Sequence, residues 1–261
     1  MAKYHISEPD VRAMVRLLGQ TVAAEGGHQE KKRFLMDGLC QLIDADCWLW
    51  TLGCQINPGE AQVYVNFTHG GFDESRYAAT LQALSHPAMG AAVETFYAAI
   101  ASEPRPLTML RDEVDPQGIA YGDGPAQLWE QADIGPLIMS GYPLDEHSLS
   151  GVGLYRRFAA EPFTLREKQI AHIILKEVSW LHLSGWPEDR GATVPCLSPR
   201  QRTVLNLLLE GQARKQIASN LEIAENTVAG YAKEVYRHFG VNSQAELMHK
   251  FLSGKEPTWE I

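Results

Sequence analysis

Two periods of apolar and polar positions run along this chain and predict an ordered series of elements. Residues 9–25 place Val11, Val15, Leu18 and Val22, and residues 28–44 place Phe34, Leu35, Leu39, Leu42 and Ile43, at the spacing of helices with one covered face. CWLWTLG (47–53) is apolar on both faces, as a strand covered on both sides would be. In AQVYVNFTH (61–69), Val63, Val65 and Phe67 alternate with Gln62, Tyr64 and Asn66, which predicts a strand with two chemically different faces. Residues 74–101 are alanine-rich and helical, with a break permitted at Pro87 after His86. IGPLIMSGYPL (134–144) and LSGVGLYRRF (149–158) read as a strand pair joined by the polar turn DEHS. FTLREKQIAHIILKEVSWLHL (163–183) predicts one helix, opened by the capping box Thr164–Glu167 and striped by Leu165, Ile170, Ile173, Ile174, Val178 and Leu181. Residues 103–133 are rich in Pro, Gly and Asp and predict a long loop over the sheet, with a short helix near Gln127–Gln131.

An antiparallel sheet flanked by helices is an α+β, sensor-like layout. After it, WPEDRGATVPC (186–196) combines two prolines, a glycine and three charges, the composition of a linker. The expected organisation is therefore a sensor domain over 1–186, a linker over 187–195, a second domain over 196–254 and a tail over 255–261.

The second domain reads as all-α. LSPRQRTVLNLLLEG (197–211) opens with the capping box Ser198–Gln201 and Pro199 at the first helical position; Leu205, Leu208 and Leu209 face inward and Gly211 stops the helix. QARKQIASNLEI (212–223) gives a short helix with Ile217, Ala218 and Leu221 inward. The next helix runs to Phe239 with Val228, Ala232 and Val235 on the same face, and Gly240 caps it. SQAELMHKFL (243–252) is a fourth helix. Four short helices, the second and third joined by a tight turn, make a helix-turn-helix unit.

The run L-S-P-R, then V-L-x-L-L-x-x-G, K-x-I-A-x-x-L-x-I, N-T-V and a glycine before Val241-Asn242 resembles the DNA-binding domain of LuxR/GerE-type bacterial transcription regulators. The resemblance covers residues 197–252. It implies a domain that binds double-stranded DNA as a homodimer, pairing through its last helix and laying its third helix in the major groove. By the same resemblance Lys215 meets phosphate, the Thr227 hydroxyl reaches the backbone, and the positions of Ala229, Gly230 and Lys233 meet bases. Asn226 and Arg237 share that outward face, and Arg214 replaces a small polar residue and could grip phosphate. Several positions depart from the family. Ala213 and Ala224 stand where serine caps are usual, and Gly230 sits inside a helix, each change costing about 1 kcal/mol. Lys233 is left as the main direct reader, with Ala229 able to touch a thymine methyl.

Charge bears on the same point. Residues 196–261 carry eight Lys/Arg and seven Asp/Glu, a charge of +1, whereas the rest of the chain is at −10. Affinity for DNA must therefore come from the carboxy-terminal domain, helped by dimerisation. No apolar run approaches the ~20 residues that span a bilayer, and MAKYHISEPD lacks a signal peptide's apolar core, so no membrane is expected and a cytoplasmic location is. Cys40, Cys47, Cys54 and Cys196 fit no metal or redox spacing and are read as reduced thiols. His172 and His182 lie ten residues apart on one predicted helix, roughly 15 Å along its axis, too far to share a metal. There is no receiver signature, no phosphate-cradling glycine loop and no recognisable nucleophile–base pair, so neither a cofactor nor catalysis is expected.

The first domain, with its terminal helix entered by F-T-x-R-E, resembles the GAF/PAS-like sensors placed before such tails. W-L-W on a strand, T-H-G-G-F-D-E-S-R-Y and His86-Pro87 are also similar to acyl-homoserine-lactone-binding domains. That family carries an Asp-Pro whose acid binds the signal's amide, and His86 removes this acceptor. Trp48, Trp50, Tyr64, Tyr77, Trp129 and Ser140 are the candidate pocket residues, aromatic walls with polar tips suited to a small organic ligand. Gly151 and Gly153, on one strand face, leave space for a ligand or for close packing. The expected function is a DNA-binding transcription regulator responsive to a small molecule or a protein partner. The alternative is an interaction module whose degenerate helix-turn-helix acts through protein contacts.

Overall fold

The computed structural model describes residues 6–54, 63–122, 124–144, 148–184 and 197–252. The expected linker, tail and Cys196 lie outside them, as do the side chains of Val63, Val65 and Asn66.

Five antiparallel strands form one sheet in the order β2-β1-β5-β4-β3, with β1 Cys47–Cys54, β2 Val63–Gly70, β3 Leu107–Leu110, β4 Leu137–Pro143 and β5 Ser148–Tyr155. Side-chain alternation divides the sheet. Leu49, Thr51, Gly151, Gly153 and Tyr155 look to one face, beneath the helices α3 (Glu74–Leu84), α4 (Met89–Ala92) and α5 (Glu94–Ser102). Trp48 and Trp50 look to the other, covered by α2 (His28–Ile43), α8 (Leu165–Glu177) and α9 (Ser179–Leu183). Both faces of β1 are buried, which is why its sequence shows no alternation.

Three sequence expectations are corrected. First, α1 (Glu8–Ala23) buries Asp10, Met14, Leu17 and Thr21, whereas Val11, Val15 and Val22 are exposed. The covered face lies one residue round the helix because Asp10 is held by Arg166 of α8, and buried Thr21 is satisfied by donating to the Leu17 carbonyl at 2.8 Å. Second, residues 103–133 hold more than a loop and one helix: β3, α6 (Arg111–Val114), a 3-10 turn (Ile119–Tyr121) and α7 (Pro125–Gln131). Third, the helix over 163–183 breaks at Val178, whose φ of −103° and ψ of 42° are not helical, so that α9 turns onto the sheet. Its predicted capping box is present, with Thr164 and Glu167 bonding reciprocally.

The carboxy-terminal helices are α10 (Pro199–Leu209), α11 (Arg214–Asn220), α12 (Glu225–Phe239) and α13 (Gln244–Leu252). Ser198 and Gln201 form the capping box of α10, and Gly240 closes α12 in the left-handed region at φ 63°. Leu205, Leu208, Ile217, Val228, Ala232 and Val235 make the shared core, each 8 % exposed or less together with Ala218. α10 also lies on α3 and β2, so the helical unit is docked against the α+β domain.

Candidate DNA interface and sensor cavity

The amphipathic pattern of α12 fixes which of its sides is available. Val228, Ala232, Val235, Tyr236 and Phe239 pack inward on α10, α11 and α13, which leaves Asn226, Thr227, Gly230, Lys233 and Arg237 exposed on the opposite side, with Ala229 half-buried at the margin. Arg214 and Lys215 are exposed at the start of α11. All eight sequence-nominated DNA residues therefore fall on the first turn of α11 or the outer side of α12. Arg237 pairs with Glu234 at 3.7 Å, and Glu234 also accepts from Gln201 at 2.7 Å, tying α12 to the start of α10. Neither α11 nor α12 has a side-chain cap, because Ala213 and Ala224 occupy the cap positions. A Cβ added at Gly230 would meet nothing within 4 Å. This side of the helix presents cations and short side chains while its back is held by core packing.

The second feature is a cavity between the sheet and helices α3–α5. It has about 50 Å³ open to the centre of a water-sized sphere and is walled largely by apolar side chains, among them Leu49, Val93, Leu137 and Met139. Gly151 and Gly153 of β5 floor it, and at Gly153 a Cβ would collide with the Tyr155 hydroxyl. Polar atoms are few. Tyr97 donates to the Tyr64 hydroxyl at 2.9 Å, and burial pushes the Tyr64 phenol up to about 12. The Asp115 carboxylate accepts the backbone N–H groups of Ile119 at 2.9 Å and Ala120 at 2.7 Å, capping the 3-10 turn. Arg111 stacks on Tyr121, 4.8 Å from ring centre, and donates to the Gly135 carbonyl at 3.0 Å.

Of the six pocket residues nominated from the sequence, Tyr64 and Trp129 line this cavity. The other four do not. Trp48 and Trp50 sit on the far face of the sheet, where Trp48 donates to Asp37 at 2.9 Å and Trp50 to Ser150 at 2.7 Å. Ser140 is on that face too, bonded to Thr108 at 3.0 Å. Tyr77 is directed to the carboxy-terminal domain. His86 accepts from the Ala88 N–H at 3.2 Å and caps the turn into α4. Strand alternation separates these residues: Trp48 and Trp50 share a parity, and the residues between and beside them, Leu49 and Thr51, point to the cavity. Arg111, Asp115 and Tyr97 escape a reading of the sequence, because the elements carrying them look like loop or undifferentiated alanine-rich helix.

The far face holds a closed polar chain. The Trp50 indole donates to Ser150 Oγ; Ser150 and His182 Nδ1 are 2.9 Å apart; His182 Nε2 lies 2.9 Å from the Leu175 carbonyl. A carbonyl can only accept, so Nε2 carries the proton and Nδ1 accepts from Ser150. Burial holds the His182 imidazole neutral, its pKa lowered to about 3. Every member is satisfied, which marks a packing network. Lys32, buried beside it with Nζ 4.7 Å from the Trp50 ring, is lowered to about 7 by desolvation.

Between the domains, α10 meets β2 and α3. Asn206 donates to the Tyr64 carbonyl at 3.3 Å, Arg202 to the Ser85 carbonyl at 3.4 Å, and Gln216 to Glu74 at 2.9 Å. Tyr77 donates to Glu210, and His69 stacks on Tyr77 with ring centres 3.9 Å apart. The Arg202 Nε and Asn206 Oδ1 atoms are buried without hydrogen-bond partners among the described residues, so this contact is less completely satisfied than the core of either domain. No helix among the described residues is long and apolar enough to cross a membrane, and no metal-ligating cluster occurs among them.

Residues 195–251 match the family described as "Bacterial regulatory proteins, luxR family" (GerE). No curated protein matches the chain. Similar solved structures include Escherichia coli SdiA, 15% identical over 92% of this chain and 95% of that one with a TM-score of 0.43. SdiA in complex with octanoyl-rac-glycerol is 16% identical over 94% and 95%, with a TM-score of 0.45. The VqsR LBD domain from Pseudomonas aeruginosa is 14% identical over 68% and 95%, with a TM-score of 0.42.

Proposed function

From a chain that ends in a LuxR-family helix-turn-helix domain, we propose a transcription regulator that binds promoter DNA as a homodimer and is controlled by the occupancy of its sensor domain. The observation that carries this reading is the outer side of α12. Lys233, Arg237, Asn226 and Thr227 stand exposed on a helix whose other side is fixed by core, the arrangement a major-groove reader requires. Lys233 acts as the direct reader, and Lys215, Arg214, Thr227 and Arg237 hold the backbone. With Ala229 and Gly230 on the reading side, specificity depends on DNA shape and on the spacing of paired half-sites. The sensor cavity takes a small organic molecule, and its occupancy shifts the placement of the helical unit.

The test is genome-wide footprinting in the native host, followed by anisotropy titration of a recovered site. Enriched sites bound by wild type and weakened by Lys233→Ala support the reading. The uncapped α11 and α12 favour a second one, an interaction module that acts through partner contacts. Absence of enriched sites under every growth condition would leave that module standing.

A further inference from the structure

We propose that the cavity takes a slim aliphatic carboxylate, its chain over Gly151 and Gly153 and its head group at Arg111 and Trp129; this rests on reading the cavity as the sensor site. Trp129 is 1 % exposed, and neither its indole N–H nor the Nε–H of Arg111 has a hydrogen-bond partner among the described residues. Both residues line the cavity, and the guanidinium lies 5.6 Å from the Trp129 ring centre. Buried donors without acceptors are rare in folded proteins, and two at one end of an apolar cavity call for an acceptor from outside the chain.

The chain's own groups do not supply it. Both oxygens of Asp115 are occupied by the N–H groups of Ile119 and Ala120, and the Gly135 carbonyl takes only Nη2 of Arg111. A purely apolar guest would leave both donors unpaired, and an amine brings donors, not the acceptor these two N–H groups need; the Asp115 carboxylate in the same wall is turned to its own N–H partners. A carboxylate brings two acceptor oxygens and the opposite charge, the pairing for which a guanidinium is built. The remaining walls are largely apolar and the open space is small, about 50 Å³ to sphere centres, which suits an alkyl chain over the glycine floor.

The experiment is isothermal titration of the full-length protein with hexanoate, octanoate and decanoate, each beside its methyl ester and its alcohol. Wild type is compared with Arg111→Gln and Trp129→Phe, and folding is checked by circular dichroism. The acid is expected to bind roughly tenfold more tightly than the ester or alcohol, the weight of one charge-assisted hydrogen bond. Both variants are expected to erase that preference while the alcohol still binds; Arg111→Lys, which keeps the charge, restores part of it. Equal binding of acid, ester and alcohol, or a preference that survives both variants, overturns the head-group assignment and leaves the sensor reading intact. If none of these probes binds, Gly151→Leu separates the two ideas. Loss of signal-dependent promoter binding in that variant overturns the carboxylate alone; unchanged regulation removes the cavity as a sensor site as well.

Discussion

The hydroxyl of Tyr77, on helix α3 of the α+β domain, donates a hydrogen bond to the carboxylate of Glu210, at the end of the first helix of the helix-turn-helix domain. Burial and the neighbouring Glu210 charge push the Tyr77 phenol well above its ordinary range, so it remains a donor throughout the working pH range. Tyr77→Phe leaves Glu210 with His69, 3.7 Å away, as its nearest basic partner. The docked arrangement should lose about 1 kcal/mol, the net weight of one hydrogen bond to a half-buried carboxylate. Small-angle scattering should show a larger radius of gyration and hydrogen exchange should quicken in α10; unchanged shape and protection would mean that the bond does not hold the domains together.

Removing Lys233 should weaken promoter binding by roughly tenfold, a loss within the 1–3 kcal/mol of a good base contact, and should relax preference at one position of the site. A uniform loss across all sequences, with a shallower salt slope, would instead make Lys233 a phosphate contact.

The helices that present this surface can be strengthened. Ala224→Ser supplies the missing cap and Gly230→Ala removes backbone freedom at a site with open space, so each should stabilise the domain by about 1 kcal/mol in chemical denaturation. Gly230→Ala is also a probe of approach: weaker DNA binding in a more stable protein would mean that the glycine admits the groove closely.

Lys32 gives a pH signature. Its folded value is about 7 against 10.5 for a freely solvated lysine, so the unfolded chain binds the extra proton between those values. Stability from this group is therefore present above the upper value and is lost as pH falls toward the lower one. Lys32→Met should flatten the rise in stability across that window and should raise stability at neutral pH, by an amount on the order of a few kcal/mol. Parallel curves for the two proteins from neutral to alkaline pH would show that Lys32 keeps its charge by a route to water.

The carboxy-terminal domain is the most legible part of the sequence because its signals are local. The capping box at Ser198, the inward steps from Val228 to Phe239 and the stop at Gly240 all act within a few residues. The sensor domain depends on longer-range choices. Two candidate stripes run along the first helix, and the buried one is selected by Arg166, far along the chain, reaching Asp10. Strand β3 has only four residues and pairs at the sheet edge, so it carries too little pattern to stand out from its Pro- and Gly-rich surroundings. For the cavity, aromatic content is a poor guide. Trp48 and Trp50 anchor the far face, whereas Arg111 and Asp115 are hidden in what reads as loop.

Tyr64 belongs to two neighbourhoods at once. Its hydroxyl meets Tyr97 in the cavity wall, and its carbonyl accepts the side-chain amide of Asn206 from the DNA-binding domain. The partition between sensor and reader is thus a single strand thick. On the proposed reading, linkage makes the coupling symmetric: whatever factor an occupant imposes on affinity for DNA, DNA must impose on affinity for the occupant. A promoter fragment added to the protein would then act as an effector of the cavity, and apparent sensitivity to the occupant should depend on how many operators the cell contains.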